Sequence, residues 1–173
     1  MTGKVTVHVR RAFLAVATGR GGFRRRGKPR LYEKALKESD PIYELLSRAK
    51  TIAVVGLSGS PMRASHGVSA YMQAEGYKII PVNPRIAEAL GEKAYPSLLE
   101  VPLEVRKRID LVDVFRRPEY VDEIVEQAIQ LKIPAIWLQE GVINEHAAEK
   151  ARKAGMFVVM DRCVLKEHRA RFG

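Results

Sequence analysis

Small and hydroxyl-bearing residues follow a short apolar run, and their spacing could bind an anion. Residues 51–55 are apolar or β-branched, and the loop after them contains Gly56, Ser58, Gly59 and Ser60. Small residues leave backbone N–H groups uncovered, and the helical pattern that begins a few residues later would point further N–H groups toward a bound anion. The segment therefore predicts a β-loop-α unit that binds phosphate.

Two positions separate this loop from the dinucleotide-binding pattern. That pattern requires glycine at the third position after the strand and an acidic residue at the end of the next strand. Ser58 and Asn83 stand at those positions. An amide cannot accept hydrogen bonds from both hydroxyls of a ribose diol as a carboxylate does. An NAD(P)-dependent oxidoreductase is therefore a less favoured alternative, and a protein that binds another nucleotide-containing ligand is preferred.

Basic residues are concentrated at the start of the chain. The net charge is +10, but residues 1–30 hold nine Lys and Arg and no acidic residue, so residues 31–173 carry 21 basic and 20 acidic groups. We therefore expect a basic N-terminal arm, residues 1–30, and one domain, residues 31–173. The arm could bind nucleic acid weakly through phosphates, and a nucleic-acid-binding module remains a second alternative that the nearly neutral domain disfavours.

Length and composition are typical of one globular domain. A chain of 173 residues with 46% hydrophobic residues can bury one sizeable core. No apolar run approaches the roughly 20 residues of a membrane helix. The single cysteine, Cys163, excludes an internal disulfide framework and favours a reducing cytoplasm. We therefore expect a cytoplasmic protein with no membrane partner.

Apolar runs alternate with helical patterns from residue 31 onward. The runs predict strands at 51–55, 78–82, 93–95, 111–115, 135–138 and 157–160, and the patterns predict helices at 31–48 (in two pieces), 66–75, 118–131 and 145–154. The runs do not alternate with polar residues, which indicates strands buried on both faces. The predicted fold is α/β, a Rossmann-like, three-layer domain around a doubly wound parallel sheet.

Ligands of such sheets bind at the carboxyl ends of the strands. These ends fall at residues 56–63, 83–85, 115–118, 139–141 and 161–163. Arginine is frequent among them, and a polyphosphate could be surrounded by Arg63, Arg85, Arg116 and Arg117.

The same five segments carry a resemblance to a known family. Residues 56–61 (Gly-Leu-Ser-Gly-Ser-Pro), 81–85 (Pro-Val-Asn-Pro-Arg), 110–118, 135–141 and 161–163 resemble the single-domain CoA-binding proteins. The fold of that family is similar to the nucleotide-binding domain of the succinyl-CoA synthetase α subunit. The resemblance covers about residues 40–173 and implies coenzyme A as the ligand.

The resemblance also implies roles for individual residues. The pyrophosphate region of CoA would be held by Gly56, Ser58, Gly59 and Ser60, with Arg63 nearby. The nucleotide end would be approached by Asn83, Pro84 and Arg85. The adenine and ribose would lie beside Phe115, Arg116 and Pro118, and the pantetheine arm beside Gln139, Glu140 and Gly141. Independently of the resemblance, Cys163 follows a strand end, where it is either a buried inert thiol or a site residue near the CoA thiol.

No arrangement of side chains predicts catalysis. His66, His146 and His168 are scattered, without metal-ligand spacing, and we expect His146 and His168 on the surface. Asp113 has no acid or base partner by sequence. The synthetase's second domain, with its phosphorylated histidine, has no counterpart here. We therefore expect non-catalytic binding of CoA, an acyl-CoA or CoA disulfide.

Overall fold

The computed structural model describes residues 40–173, which form a five-stranded sheet flanked by helices and a separate two-stranded sheet. The strands are β1 (Thr51–Val55), β2 (Lys78–Val82), β3 (Glu88–Ala89), β4 (Glu92–Lys93), β5 (Leu111–Val114), β6 (Ala135–Leu138) and β7 (Phe157–Val159). The α-helices are α1 (Pro41–Arg48), α2 (Ala64–Ala74), α3 (Leu103–Arg106), α4 (Val121–Gln130), α5 (Glu145–Lys153) and α6 (Val164–Phe172). The basic arm and the first piece of the predicted lead-in helix lie outside the described residues.

The central sheet is parallel, with strand order β2-β1-β5-β6-β7. The chain passes from β1 to β2 on one side, then returns across β1 to β5 on the other. The winding direction therefore reverses between β1 and β5, and the crevice outside the carboxyl ends of these two strands is where such folds bind ligands. The predicted Rossmann-like, doubly wound fold is confirmed.

Helices cover both faces of the sheet, which makes the three predicted layers. Side chains of a strand alternate between faces, and Ile52 and Val54 of β1 pack with Met72 of α2 and Val164 of α6. On the opposite face the β1 side chains pack against α4 and α5. Because both faces are buried, the strands read as continuous apolar runs.

Two helices begin at residues whose side chains cap them. Asp40 accepts hydrogen bonds through Oδ1 from the N–H groups of Ile42 (2.9 Å) and Tyr43 (3.1 Å), and Pro41 occupies the first turn as predicted. Asn144 accepts through Oδ1 from the N–H of Ala147 at 3.0 Å. These caps satisfy N–H groups that have no partner inside a helix.

The prediction of a strand at 93–95 is wrong in detail. That segment belongs to a separate antiparallel hairpin, β3–β4, whose turn residues Leu90 and Gly91 have φ of 54° and 74°. Two positive φ angles are typical of a tight hairpin turn. Tyr95 makes one isolated bridge to Val82, through backbone hydrogen bonds to the residues on either side of it.

The prediction that His168 lies on the surface is also wrong. His168 belongs to α6, a helix that the sequence analysis missed, and it is only 4% exposed. Its ring stacks on Phe172 with centroids 4.6 Å apart, and its Nδ1 lies 2.9 Å from the hydroxyl of Tyr71. Burial lowers the pKa of His168 below its usual value.

The first and last helices of the described region meet. Arg171 donates from Nε to Oδ2 of Asp40 at 2.8 Å, and the rings of Phe172 and Tyr43 stack with centroids 4.8 Å apart. Residues 40 and 172 therefore lie on the same side of the sheet. No helix of residues 40–173 is both long and apolar enough to span a bilayer.

Candidate functional site

Gly56 lies where three strands converge. It directly follows β1, has φ of 89°, and donates its N–H to the carbonyl of Val82 at 2.8 Å. A Cβ built at Gly56 would lie 2.5 Å from the carbonyl oxygen of Phe115, closer than real Cβ contacts. Only glycine satisfies both the dihedral and the contact, so the ends of β1, β2 and β5 meet closely at the winding reversal.

The loop after Gly56 is joined to the start of α2 by its serines. Ser58 donates its N–H to Oγ of Ser65 at 3.1 Å, and the N–H of Ser60 donates to Oγ of Ser58 at 3.1 Å. Gly59 and Ser60 are exposed. The predicted loop residues therefore form a short, braced turn whose outer backbone faces solvent.

The amino end of α2 follows this loop. Arg63, the N-cap residue, makes no side-chain capping bond, and its carbonyl accepts from the N–H groups of His66 and Gly67. The N–H groups of Ala64 and Ser65 therefore have no acceptor within the helix. Together with the partial positive charge at a helix N-terminus, they favour an anion beside the loop.

Asn83 connects the ends of β1 and β2. Its Nδ2 donates to the carbonyl of Leu57 at 2.9 Å, and its Oδ1 accepts from the N–H of Arg85 at 3.0 Å. The side chain thus holds the β1 loop and shapes its own turn. Both ends of the amide are bonded, so the side chain positions the loop, and it lacks the second carboxylate oxygen with which an acidic residue binds a ribose diol.

Two cavities open at this edge, and Arg116 lines both of them. The first has a volume of about 170 Å³ and lies toward β2. Its lining includes the predicted residues Gly56, Pro84 and Arg116. The sequence analysis missed the others, which are Val55, Val82, Pro96, Ser97, Leu98, Tyr120, Glu123, Ile124 and Gln127.

The second cavity lies over the ends of β5 and β6 and has a volume of about 480 Å³. It brings together seven predicted site residues, which are Phe115, Arg116, Pro118, Gln139, Glu140, Gly141 and Cys163. Ala64, Val68, Arg117 and Val142 complete its lining. The helical spacing of Val68, four residues after Ala64, is the signal that could have revealed these two α2 residues.

The four arginines expected around a polyphosphate differ in their environment. The guanidinium of Arg116 lies over the ring of Tyr120, 4.7 Å from its centroid, and Arg116 lines both cavities. Arg117 pairs with Glu119 at 3.8 Å, with both side chains mostly exposed. Arg63 and Arg85 are exposed, and neither makes an ion pair with a residue of the described region. Arg116 is therefore the cation held most firmly at the site.

Glu140 does not act as a free carboxylate in the second cavity. It accepts from Nζ of Lys166 through both oxygens at 2.8 Å. The same hydrogen bond, together with the attraction of the carboxylate, raises the pKa of Lys166. The pair is exposed, so its charges largely offset each other at the rim.

A buried acid lies beneath the second cavity. Asp113 of β5 is 2% exposed, and its Oδ1 accepts from Nε2 of Gln139 at 2.7 Å. Burial raises the pKa of Asp113 to about 7, although the hydrogen bond from Gln139 opposes the shift. The sequence analysis did not include Asp113 in the site.

The histidines and Trp137 lie outside these cavities. His146 is exposed and pairs through Nδ1 with Asp122 at 2.7 Å, as its predicted surface location requires. Trp137 is fully buried in the core and donates from Nε1 to the carbonyl of Arg162 at 2.6 Å. Within residues 40–173 no group of His, Cys, Asp and Glu could hold a metal ion.

The chain is similar to a known protein family and to individual known proteins. A family model described as a CoA binding domain matches residues 50–169. An uncharacterized protein of Bacillus subtilis is 47% identical over 127 residues, which is 73% of this chain and 91% of the relative. The solved structure of a hypothetical protein from Pyrococcus horikoshii has a TM-score of 0.73 and 37% identity, covering 87% of this chain and all (100%) of that one.

Longer proteins match as well. The α subunit of an ADP-forming acetate–CoA ligase of Pyrococcus furiosus is 29% identical over 129 residues. The match covers 67% of this chain but only 28% of the ligase subunit. The similarity is therefore confined to one part of that enzyme.

Proposed function

The chain belongs to the CoA-binding domain family, and from this membership we propose that it binds coenzyme A without catalysing a reaction. One observation carries the proposal: two cavities of unequal size open at the carboxyl ends of the strands and share Arg116. CoA has a matching division, because a nucleotide and a long pantetheine arm are joined by a pyrophosphate. A mononucleotide would fill only one side.

The division of the site suggests how CoA lies in it. The adenosine end would occupy the smaller cavity, between Pro84 and Tyr120. The family resemblance instead implied adenine and ribose beside Phe115, Arg116 and Pro118, but Phe115 and Pro118 line the larger cavity. The pyrophosphate would lie against the exposed backbone of Gly59 and the amino end of α2, and Arg116 supplies a cation between the two cavities. The pantetheine arm would extend through the larger cavity, whose lining includes Cys163.

The side chains of the larger cavity support binding more than chemistry. Glu140 is paired with Lys166, and Asp113 is buried and bonded to Gln139. Neither is positioned as a free acid or base toward a ligand. Non-catalytic binding of CoA, an acyl-CoA or CoA disulfide therefore remains our proposal, and the lone cysteine supports a reducing cytoplasm as the location.

The main competitor is a nicotinamide dinucleotide, which also has two halves. Asn83 argues against it, because its amide is bonded to Leu57 and Arg85 and no carboxylate stands at this strand end for the ribose diol. Nucleic acid remains a weaker alternative that depends on residues 1–30.

Calorimetric titration of the full chain with CoA and with NADH tests the proposal. We expect saturable CoA binding and no comparable binding of NADH. At a hundred times its Kd, CoA should add about 2.7 kcal/mol to the free energy of unfolding. Mass spectrometry of ligand retained after gentle purification would distinguish free CoA, acyl-CoA and CoA disulfide. Strong stabilisation by NADH with none by CoA would refute the proposal.

A further inference from the structure

Asp113 occupies an unusual place for an acid. It lies in β5, between Val54 of β1 and Trp137 of β6, where the sheet is buried on both faces. Alternation along β5 places it on the same face as Leu111, the face covered by α1, α2 and α6. The next residue on that face is Phe115, which lines the larger cavity. The carboxyl group therefore lies directly below the cavity.

Gln139 connects Asp113 to the cavity. Its side chain is 4% exposed, yet it contributes to the cavity lining. The amide nitrogen donates to Asp113, which leaves the carbonyl oxygen Oε1 as the other end of the amide. Within residues 40–173 Oε1 has no hydrogen-bond partner, and it is not among the enclosed atoms that lack one. It is therefore open to the cavity.

We propose that Asp113 is a positioning residue that orients the Gln139 amide so that its carbonyl oxygen faces the larger cavity. A carboxylate can only accept hydrogen bonds, so it holds the nitrogen end of the amide toward itself. The cavity then presents an acceptor, which suits the secondary amide N–H groups of a pantetheine arm. This inference rests on the proposed CoA binding, and it names the Gln139 carbonyl as the group that accepts a hydrogen bond from the pantetheine arm.

The orientation should depend on the charge of Asp113. A protonated carboxyl can donate to the Gln139 carbonyl, which would let the amide rotate and present its nitrogen to the cavity. Burial places this titration near pH 7. The buried side chains of the helices covering this face are Leu46, Ser65, Ser69, Met72, Val164 and His168. Only His168 among these can titrate, and it is bonded to Tyr71.

The test compares CoA with adenosine 3′,5′-bisphosphate, which contains the nucleotide end but no pantetheine arm. Calorimetric titrations would use the full chain, Asp113→Leu, Asp113→Asn and Gln139→Leu. Leucine removes the acceptor, whereas asparagine offers both a donor and an acceptor and so mimics the protonated carboxyl without titrating. We expect Asp113→Leu and Gln139→Leu to weaken CoA binding roughly fivefold, the effect of one hydrogen bond. Asp113→Asn should bind CoA several-fold more weakly than wild type at pH 8 and about as well as wild type at pH 6, and all variants should bind the bisphosphate normally.

A pH series distinguishes a positioning role of Asp113 from a merely structural one, because a structural role would not make CoA affinity depend on the charge of Asp113. Between pH 8 and pH 6 the wild-type affinity for CoA should fall several-fold more than that of Asp113→Asn, because only the wild-type carboxylate becomes protonated. Both chains bind the same ligand, so this comparison removes the titration of the CoA phosphates.

Three results would overturn the inference. These are normal CoA affinity in Asp113→Leu, equal losses for CoA and bisphosphate, or the same pH dependence of CoA affinity in the wild type and in Asp113→Asn. Each would leave CoA binding itself intact. A wild-type chain that binds neither ligand would instead refute the proposed function, and the positioning role with it.

Discussion

The two glycines of the β1 loop should respond to substitution in opposite ways. Gly56→Ala places a side chain at a φ of 89° and 2.5 Å from a backbone oxygen. Gly59 has no positive φ, and the nearest atom to a Cβ built there is 3.8 Å away, at the carbonyl of Glu88. The first substitution should therefore damage the fold, and the second should change only what can approach the loop.

The magnitudes follow from these geometries. A non-glycine residue held in a sparsely populated dihedral costs about 1 to 3 kcal/mol, and the contact with Phe115 adds to this because a backbone atom must shift. We expect Gly56→Ala to lose more than about 2 kcal/mol of a total stability of about 5 to 15 kcal/mol. Gly59→Val should lose less than about 1 kcal/mol of stability but at least tenfold in CoA affinity, about 1.4 kcal/mol.

Urea unfolding followed by fluorescence measures the first effect, because Trp137 is the single tryptophan and is fully buried. Calorimetric titration with CoA measures the second. An unchanged urea midpoint in Gly56→Ala would refute the description of the strand convergence. Unchanged CoA affinity in Gly59→Val would refute the placement of the pyrophosphate, even if CoA remained the ligand.

Three further results are expected. Arg85→Ala should weaken the binding of CoA more than the binding of dephospho-CoA, because a cation discriminates by ligand charge. The control is Arg48→Ala, which changes an exposed arginine beside the amino ends of the strands and should alter the affinity for neither ligand in a calorimetric titration. Relative to wild type, Asp113→Asn should have a higher urea midpoint at pH 8 than at pH 4. The pKa of Asp113 is about 7 in the folded state against an ordinary 3.8, so the native state retains a proton that the unfolded state loses. The stability of the wild type therefore falls as the pH rises through this window. Deleting residues 1–30 should preserve CoA affinity but reduce binding to RNA at low salt in a filter-binding assay.

The sequence predicted the parallel sheet well because burial on both faces leaves an unmistakable pattern. The bounds of β1, β2 and β6 match the predicted ranges residue for residue. The C-terminal helix was missed because it buries only Val164 and His168 through its length. Two buried residues in nine do not make an apolar stripe. A histidine among charged residues does not by itself indicate an aromatic cluster.

The residues of the candidate site were predicted from the positions of the strand ends. That criterion finds residues that directly follow a strand and misses the others. Seven predicted residues meet in the larger cavity because the carboxyl ends of β5 and β6 are neighbours. Tyr120 and Pro96 were missed because they lie on connections whose paths depend on tertiary packing. Asp113 was missed because its importance arises from a hydrogen bond across strands, to a residue 26 positions away. No local pattern contains that information.

The contact between Asp40 and Arg171 makes the described region a unit with adjacent ends. A domain whose ends meet can be inserted into a longer chain, or rejoined in a new order, without separating its strands. The site lies elsewhere, at the carboxyl ends of the sheet, so a linker at this junction need not cross it. Such an arrangement is suited to a ligand-binding part that is combined with different companions, and it is consistent with the match to one section of a much longer ligase subunit.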